Sequence, residues 1–172
     1  MRGTLFLVVG PSGAGKDSLI AAARAKLPER FAFPRRVITR PAEASENHEA
    51  CTDDEFTNRE ARGEFALSWR AHGMRYGVPA FEAALGAGRH VVLNVSRDVV
   101  EAARTRFDPV RVIEVTAPAD VLAARLKARG REGVAAIAER LTRARIVAAD
   151  ATVINDGALE AAVAAFVGVL QG

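Results

Sequence analysis

LFLVVGPSGAGKDSL, residues 5–19, is an apolar run that breaks into a glycine-rich turn and then takes up helical spacing. Gly10, Gly13 and Gly15 carry no Cβ to obstruct close backbone approach, so successive N–H groups can wrap around phosphate oxygens. The positive end of the following helix points at the same oxygens, and Lys16 adds a mobile cation for β- and γ-phosphates. Gly10, Pro11, Ser12, Gly13, Ala14, Gly15 and Lys16 fit the P-loop spacing G-x-x-x-x-G-K-[ST]; Asp17 stands where Ser or Thr is usual, and Ser18 follows. A glycine run alone also marks ordinary turns. Here it lies between the strand-like Leu5–Val9 and a helix with Leu19, Ile20, Ala23 and Leu27 at helical spacing, the context the motif requires. The stretch predicts a nucleoside triphosphate site.

Working outward, apolar strand-like runs recur at Leu5–Val9, Val91–Val95, Val110–Val115 and Thr152–Ile154, with a shorter one at Val37–Thr39. Helical stripes separate most of them: Val99, Val100, Ala103 and Phe107; Val121, Leu122, Arg125 and Leu126; Ile137, Leu141, Ala144 and Ala148; Leu159, Val163, Phe166 and Leu170. These stripes read as core packing. Alternating strands and helices predict an α/β fold: a five-stranded, mainly parallel sheet with helices on both faces, and ligands beyond the carboxyl ends of its strands.

Length and composition agree with one domain over residues 1–172. A chain of 172 residues that is 49% hydrophobic buries a substantial core and is not disordered. The net charge is +3, and arginine supplies nearly all the cations. Its planar fork matches phosphate, although an alanine- and arginine-rich composition would give the same bias. No arginine-rich arm or aromatic platform suggests nucleic acid. Cys51 is the single cysteine, so neither an internal disulfide nor a cysteine metal cluster is available. With no signal-peptide pattern and no run of membrane-spanning length, the expectation is a soluble cytoplasmic protein, monomer or homodimer.

Two stretches leave the strand–helix rhythm. Residues 40–80 are polar, with several Gly and Pro around the apolar patch Phe65–Trp69, and predict a small excursion of short strands and turns. Residues 125–145 hold Arg125, Arg129, Arg131, Arg140, Arg143 and Arg145 around Gly130 and Gly133. They read either as an arginine-studded solvated helix pair or, the favoured reading, as a mobile lid over a triphosphate.

The order of patches resembles the guanylate kinase-like branch of P-loop kinases. GPSGAGK (10–16), VITRP (37–41), GEFALSW (63–69), HGMRYGVP (72–79), GRHVVLNVS (88–96), RLKARGRE (125–132), RLTRA (140–144) and VIND (153–156) follow one another as in that family. The departures refine the function. Ser68 stands where a glutamate reads guanine, Val78 where a Thr or Ser follows Tyr-Gly, and Ala42 and Glu43 where a second arginine is expected. Asn94 and Ser96 replace acidic residues. A pocket without those readers leaves the donors of a guanine unpaired. GPSGAGKDSL, FALSWRAHGMRYGVP and NVSR are similar to the ribose 1,5-bisphosphate phosphokinase family within that branch, in which an aspartate follows the loop lysine. The resemblance implies that ATP phosphorylates the 1-phosphate of ribose 1,5-bisphosphate, in phosphonate degradation, giving 5-phosphoribosyl 1-diphosphate. Guanylate kinase activity, or a catalytically lost binding module, are the alternatives.

The site roles are then as follows. Gly10 to Lys16 hold the ATP phosphates, and Asp17 or Ser18 contacts Mg²⁺. Asp17 read only as a helix-dipole partner is equally open. By resemblance, Arg129 and Arg140 act with Lys16 on the transferring group, with Arg131 and Arg143 in reserve, and Asn155 lies near adenine. Arg40, Arg70, Arg75 and Tyr76 are candidates for gripping the acceptor's phosphates, and Ser68 and Asn94 for its hydroxyls. Arg35 and Arg36 rank lower, as sheet-edge cations. Trp69 and the histidines His48 and His90 read as local packing or hydrogen bonding. The acceptor-binding segment spans about residues 35–80 and the lid about 125–145.

Overall fold

In the computed structural model, residues 1–41, 47–128 and 147–172 are described. The P-loop strand β1 (Leu5–Val9) is the centre of the architecture. Its side chains are all buried, because helices cover both faces of its sheet. Parallel to it run β7 (His90–Asn94) on one side and β8 (Val110–Thr116) on the other. Farther out lie β2 (Phe31–Ala32) and β9 (Ala151–Ile154), giving the order β2-β7-β1-β8-β9.

Alternation along β1 divides the core. Leu5, Leu7 and Val9 pack with Val91, Leu93 and Val112 against α4 (Val100–Arg106) and α3 (Glu82–Gly86). Phe6 and Val8 face the other way, toward α1 (Lys16–Lys26), α5 (Ala119–Ala128) and α6 (Leu159–Gln171). Each such side chain contributes about 1.5–3 kcal/mol by leaving water. In the last helical stripe Val163, Phe166 and Leu170 are buried, whereas Leu159 begins the helix in solvent. Positions 137, 141 and 144 lie outside the described residues, and Ala148 is not helical.

One strand differs from the sequence expectation. The fifth strand of the main sheet is Phe31–Ala32, while the Val37–Thr39 run forms β3 (Arg36–Ile38) of a second sheet. A two-residue strand has no readable period and forms because Phe31 and Ala32 meet His90 and Val91 in register. The second sheet has the order β4-β3-β6-β5, with β4 (His48–Ala50), β5 (Phe65–Ala71) and β6 (Met74–Pro79). It is covered by α2 (Asp53–Ala61), which Thr52 and Glu55 start with a reciprocal capping box. His72 and Gly73, at φ 55° and 72°, join β5 to β6 in the left-handed conformation a two-residue hairpin requires.

His90 opens β7 as a neutral acceptor. Its Nδ1 takes the Thr4 N–H at 3.1 Å, and its ring packs 4.9 Å from Phe31 and 5.9 Å from Phe6. Burial, with a smaller contribution from the Arg30 charge, pushes the His90 pKa down. The unfolded chain therefore takes up a proton that the folded chain resists. This stabilising contribution is complete above the ordinary imidazole value of about 6.5 and is lost as pH falls through the lowered folded value. Melting wild type and His90→Asn from pH 8 to 5 should show their Tm gap narrowing on the acid side; a constant gap would exclude the effect.

Candidate active site

The loop between β1 and α1 is fixed by close contacts that only glycine permits. Gly10 has φ 148°, and a Cβ there would stand 1.9 Å from the Val115 carbonyl oxygen. At Gly15, φ 85°, a Cβ would meet Asn155 Nδ2 at 2.5 Å. Lys16 bends back over the loop, where its Nζ donates to the carbonyls of Gly10 at 2.8 Å and Pro11 at 3.0 Å. Gly13 and Ala14 are buried, and Pro11, Ser12, Gly15 and Lys16 are half-buried. The amino end of α1 thus opens beyond the carboxyl end of β1, where anions are favoured.

Two side chains from distant parts of the chain brace this loop. Asn155, just past β9 and 5% exposed, donates its Nδ2 to the Ala14 carbonyl at 2.9 Å, and its backbone N–H pairs with Thr116. The structure therefore puts its amide against the loop backbone. Arg125, from α5, donates Nη1 to the Gly13 carbonyl at 3.2 Å. The sequence places Arg125 among the lid arginines and on a helical stripe; its grip on the loop backbone, which the RL-x-x-RG setting alone does not specify, comes from the structure.

Asp17 and Ser18, in the first turn of α1, are exposed. The Asp17 carboxylate accepts Asn94 Nδ2 at 2.7 Å and Arg36 Nη2 at 3.2 and 3.4 Å. Asn94 ends β7, on the α1 face of the main sheet, so this cluster joins three elements at the loop's rim. Arg36 is thus more than an edge cation. Its neighbour Arg35 points elsewhere, onto the His48 carbonyl at 2.8 Å.

The acceptor-side candidates fall on two faces of the second sheet. On the α2 face, Ser68 Oγ donates to Glu60 Oε1 at 2.8 Å, and Arg75 Nη2 donates to Glu60 Oε2 at 2.6 Å. Arg75 is 8% exposed: its Nη1 also reaches Thr57 Oγ1 at 2.6 Å, and its guanidinium lies 4.3 Å from the Phe56 ring centroid. Those contacts tie β6 to α2. Arg70 stands opposite Arg75 in register and is exposed. On the other face, Tyr76 is buried and stacks on Trp69 with ring centroids 5.2 Å apart. Trp69 packs against the main core, as a packing residue would. Arg40, half-buried after β3, lends its carbonyl to His48 Nε2 at 3.3 Å. Glu60 was missed by sequence reasoning, since nothing in its spacing distinguishes it from other exposed helical acids.

Arg129, Arg140, Arg131 and Arg143, like Ala42 and Glu43, lie outside the described residues. Among the described residues no helix is long and apolar enough to cross a membrane. Nor do three or more His, Cys, Asp or Glu gather there as a metal site.

The guanylate kinase family model matches residues 2–171. A ribose 1,5-bisphosphate phosphokinase PhnN of Acidiphilium cryptum is 54% identical over 98% of this chain and 92% of its own. One of the same name from Methylobacterium radiotolerans is 47% identical over 99% of both chains. A bifunctional ribose 1,5-bisphosphokinase-thymidine phosphorylase of Cupriavidus necator is 49% identical over 98% of this chain and 29% of its own length. Among solved structures, guanylate kinase from Anaplasma phagocytophilum superposes with a TM-score of 0.75 at 20% identity, covering 99% of this chain and 85% of that one.

Proposed function

The chain belongs to the guanylate kinase family, and from that premise we propose that its acceptor is a sugar phosphate rather than a nucleotide. It transfers the γ-phosphoryl group of ATP to the 1-phosphate of ribose 1,5-bisphosphate, giving 5-phosphoribosyl 1-diphosphate and ADP. The observation that carries this is the identity of 47–54% with phosphokinases of that name, over nearly the whole of both chains.

The site chemistry agrees. A guanine reader needs an available carboxylate, and the Glu60 carboxylate beside Ser68 is engaged on both oxygens, by Ser68 and by Arg75. Val78 offers no hydroxyl. The 1-phosphate is already largely ionised at neutral pH, so its oxygen attacks without a strong base. Alignment and charge neutralisation then carry the reaction. The amides of Gly13, Gly15, Lys16 and their neighbours cradle the donor phosphates, and the Lys16 ammonium offsets charge as it moves toward the β–γ bridge.

Asp17 and Ser18 are exposed oxygen donors next to the cradle, and they suit a hard cation held mainly by ATP phosphates with one protein carboxylate. When bound there, Mg²⁺ supplies charge neutralisation. On the resemblance, Arg129 and Arg140 serve the transferring group from a lid at about 125–145. Arg40, Arg70 and Tyr76 serve the acceptor, with Ser68 and Asn94 toward its hydroxyls. Arg75, held by α2, serves by shaping that wall. Asn155 serves ATP by fixing the loop. The protein acts in the cytoplasm on small molecules, as a monomer or homodimer.

Purified protein given MgATP should release ADP with ribose 1,5-bisphosphate at a kcat/KM at least ~100-fold above that with GMP, the discrimination expected where a polar reader is missing. Mass spectrometry should identify the diphosphate product. Comparable turnover of GMP would transfer the assignment to guanylate kinase.

A further inference from the structure

Arg36 reaches across the seam between the two sheets. It leaves β3 in the acceptor sheet and ends on Asp17, the residue after the P-loop lysine. Its side chain is 18% exposed, whereas that of Asp17 is 74% exposed. Both contacts to the carboxylate come from a single nitrogen, Nη2, at 3.2 and 3.4 Å, so the two-pronged pairing open to a guanidinium is not used. An exposed pair of this kind holds weakly. Asp17 also accepts Asn94 Nδ2 at 2.7 Å, so Arg36 is not its sole partner.

We propose that Arg36 is a phosphate-gripping residue of the acceptor site, held in place by Asp17 until the sugar bisphosphate displaces that carboxylate. This inference rests on the bisphosphate being the acceptor. Phosphoryl transfer requires the acceptor oxygen to come within about 3–3.5 Å of the γ-phosphorus in line with the leaving oxygen. The donor end of that line is set by Lys16 and the amino end of α1, so the acceptor phosphate must approach the rim where Asp17 stands. A guanidinium already there meets a dianionic phosphate with two parallel charge-assisted bonds, in exchange for one poorly directed contact to a solvated carboxylate. Arg35 cannot substitute as it stands, since it is engaged with His48. A purely structural Arg36 would only brace Asp17.

Calorimetric titration of ribose 1,5-bisphosphate without ATP separates the two roles through opposite signs. Arg36→Met should weaken binding by roughly 10- to 100-fold, the loss expected for charge-assisted bonds. Asp17→Asn should tighten it by about threefold, because a competing anion is gone. Arg36→Lys, a milder change that keeps the charge, should fall between wild type and Arg36→Met. Steady-state kinetics of the Arg36 variants should raise KM for the bisphosphate and leave KM for ATP within about twofold. Unchanged bisphosphate binding in folded Arg36→Met or Arg36→Lys, or weaker binding in Asp17→Asn, overturns the inference while the enzyme's function stands. If wild type neither binds nor turns over the bisphosphate, the functional reading fails and this inference fails with it.

Discussion

Lys16→Ala should lower kcat by about 10²–10³-fold, as removal of one preorganised charge from a transferring group does, while the Kd for ribose 1,5-bisphosphate changes by less than about twofold. The lysine sits on the Gly10 and Pro11 carbonyls at the mouth of the loop, a position from which its ammonium reaches incoming β- and γ-oxygens. Charge builds on those oxygens as the bond to the γ-phosphorus loosens, so the cation stabilises the transition state more than the ground state. Most acceptor candidates lie in or beside the second sheet, with Asn94 at the end of β7, whereas the Lys16 ammonium bonds to carbonyls of its own loop. Truncation removes two contacts to the carbonyls of half-buried Gly10 and Pro11 and no core packing, so folding should be nearly unaffected. ADP release under saturating substrates, with calorimetry for the acceptor, gives both numbers. A kcat within about threefold of wild type would remove Lys16 from the chemistry.

Gly10→Ala should destabilise the fold by about 3 kcal/mol or more and abolish MgATP binding in the micromolar range. Two costs add. A φ of 148° is a conformation that a side chain strains, and the new methyl would lie 1.9 Å from the Val115 oxygen. Val115 cannot yield, since β8 is paired to β1 on one side and to β9 on the other. The loop must therefore lift from the sheet. For a chain of this length the loss corresponds to a Tm drop of roughly 6–12 °C. Gly63→Ala is the control: φ is 69° there, but nothing lies within 4 Å of the added carbon, so its cost should stay near 1 kcal/mol. Equal melting shifts in the two variants would show that backbone strain alone, without the contact to β8, explains the requirement for glycine.

What the sequence disclosed followed the range over which its signals act. The phosphate loop is a local motif, and Leu5–Val9, Val91–Val95 and Val110–Val115 are apolar runs that stand out unaided and overlap the strands β1, β7 and β8. Phe31–Ala32 did not, because its strand character comes from pairing with β7 alone. Site details fared by the same rule. That Arg75 would be buried depends on Thr57 and Glu60, 18 and 15 residues earlier on a helix that folds over it. The aim of Arg36 depends on Asp17, 19 residues back and on helix α1. The brace at Asn155 spans 141 residues to Ala14. A side chain's type was readable at each of these positions, but its direction was set by packing that no local pattern records.

That last contact has a consequence for biogenesis. The glycine loop is translated well before the amide that steadies Ala14, which lies 141 residues farther along the chain. A nascent chain still tethered to the ribosome at residue 150 would carry every phosphate-binding glycine without this support, and without the edge strand that precedes Asn155. A nascent chain that stops short of Asn155 should therefore hold ATP less tightly than one that includes it, because its glycine loop lacks the brace at Ala14.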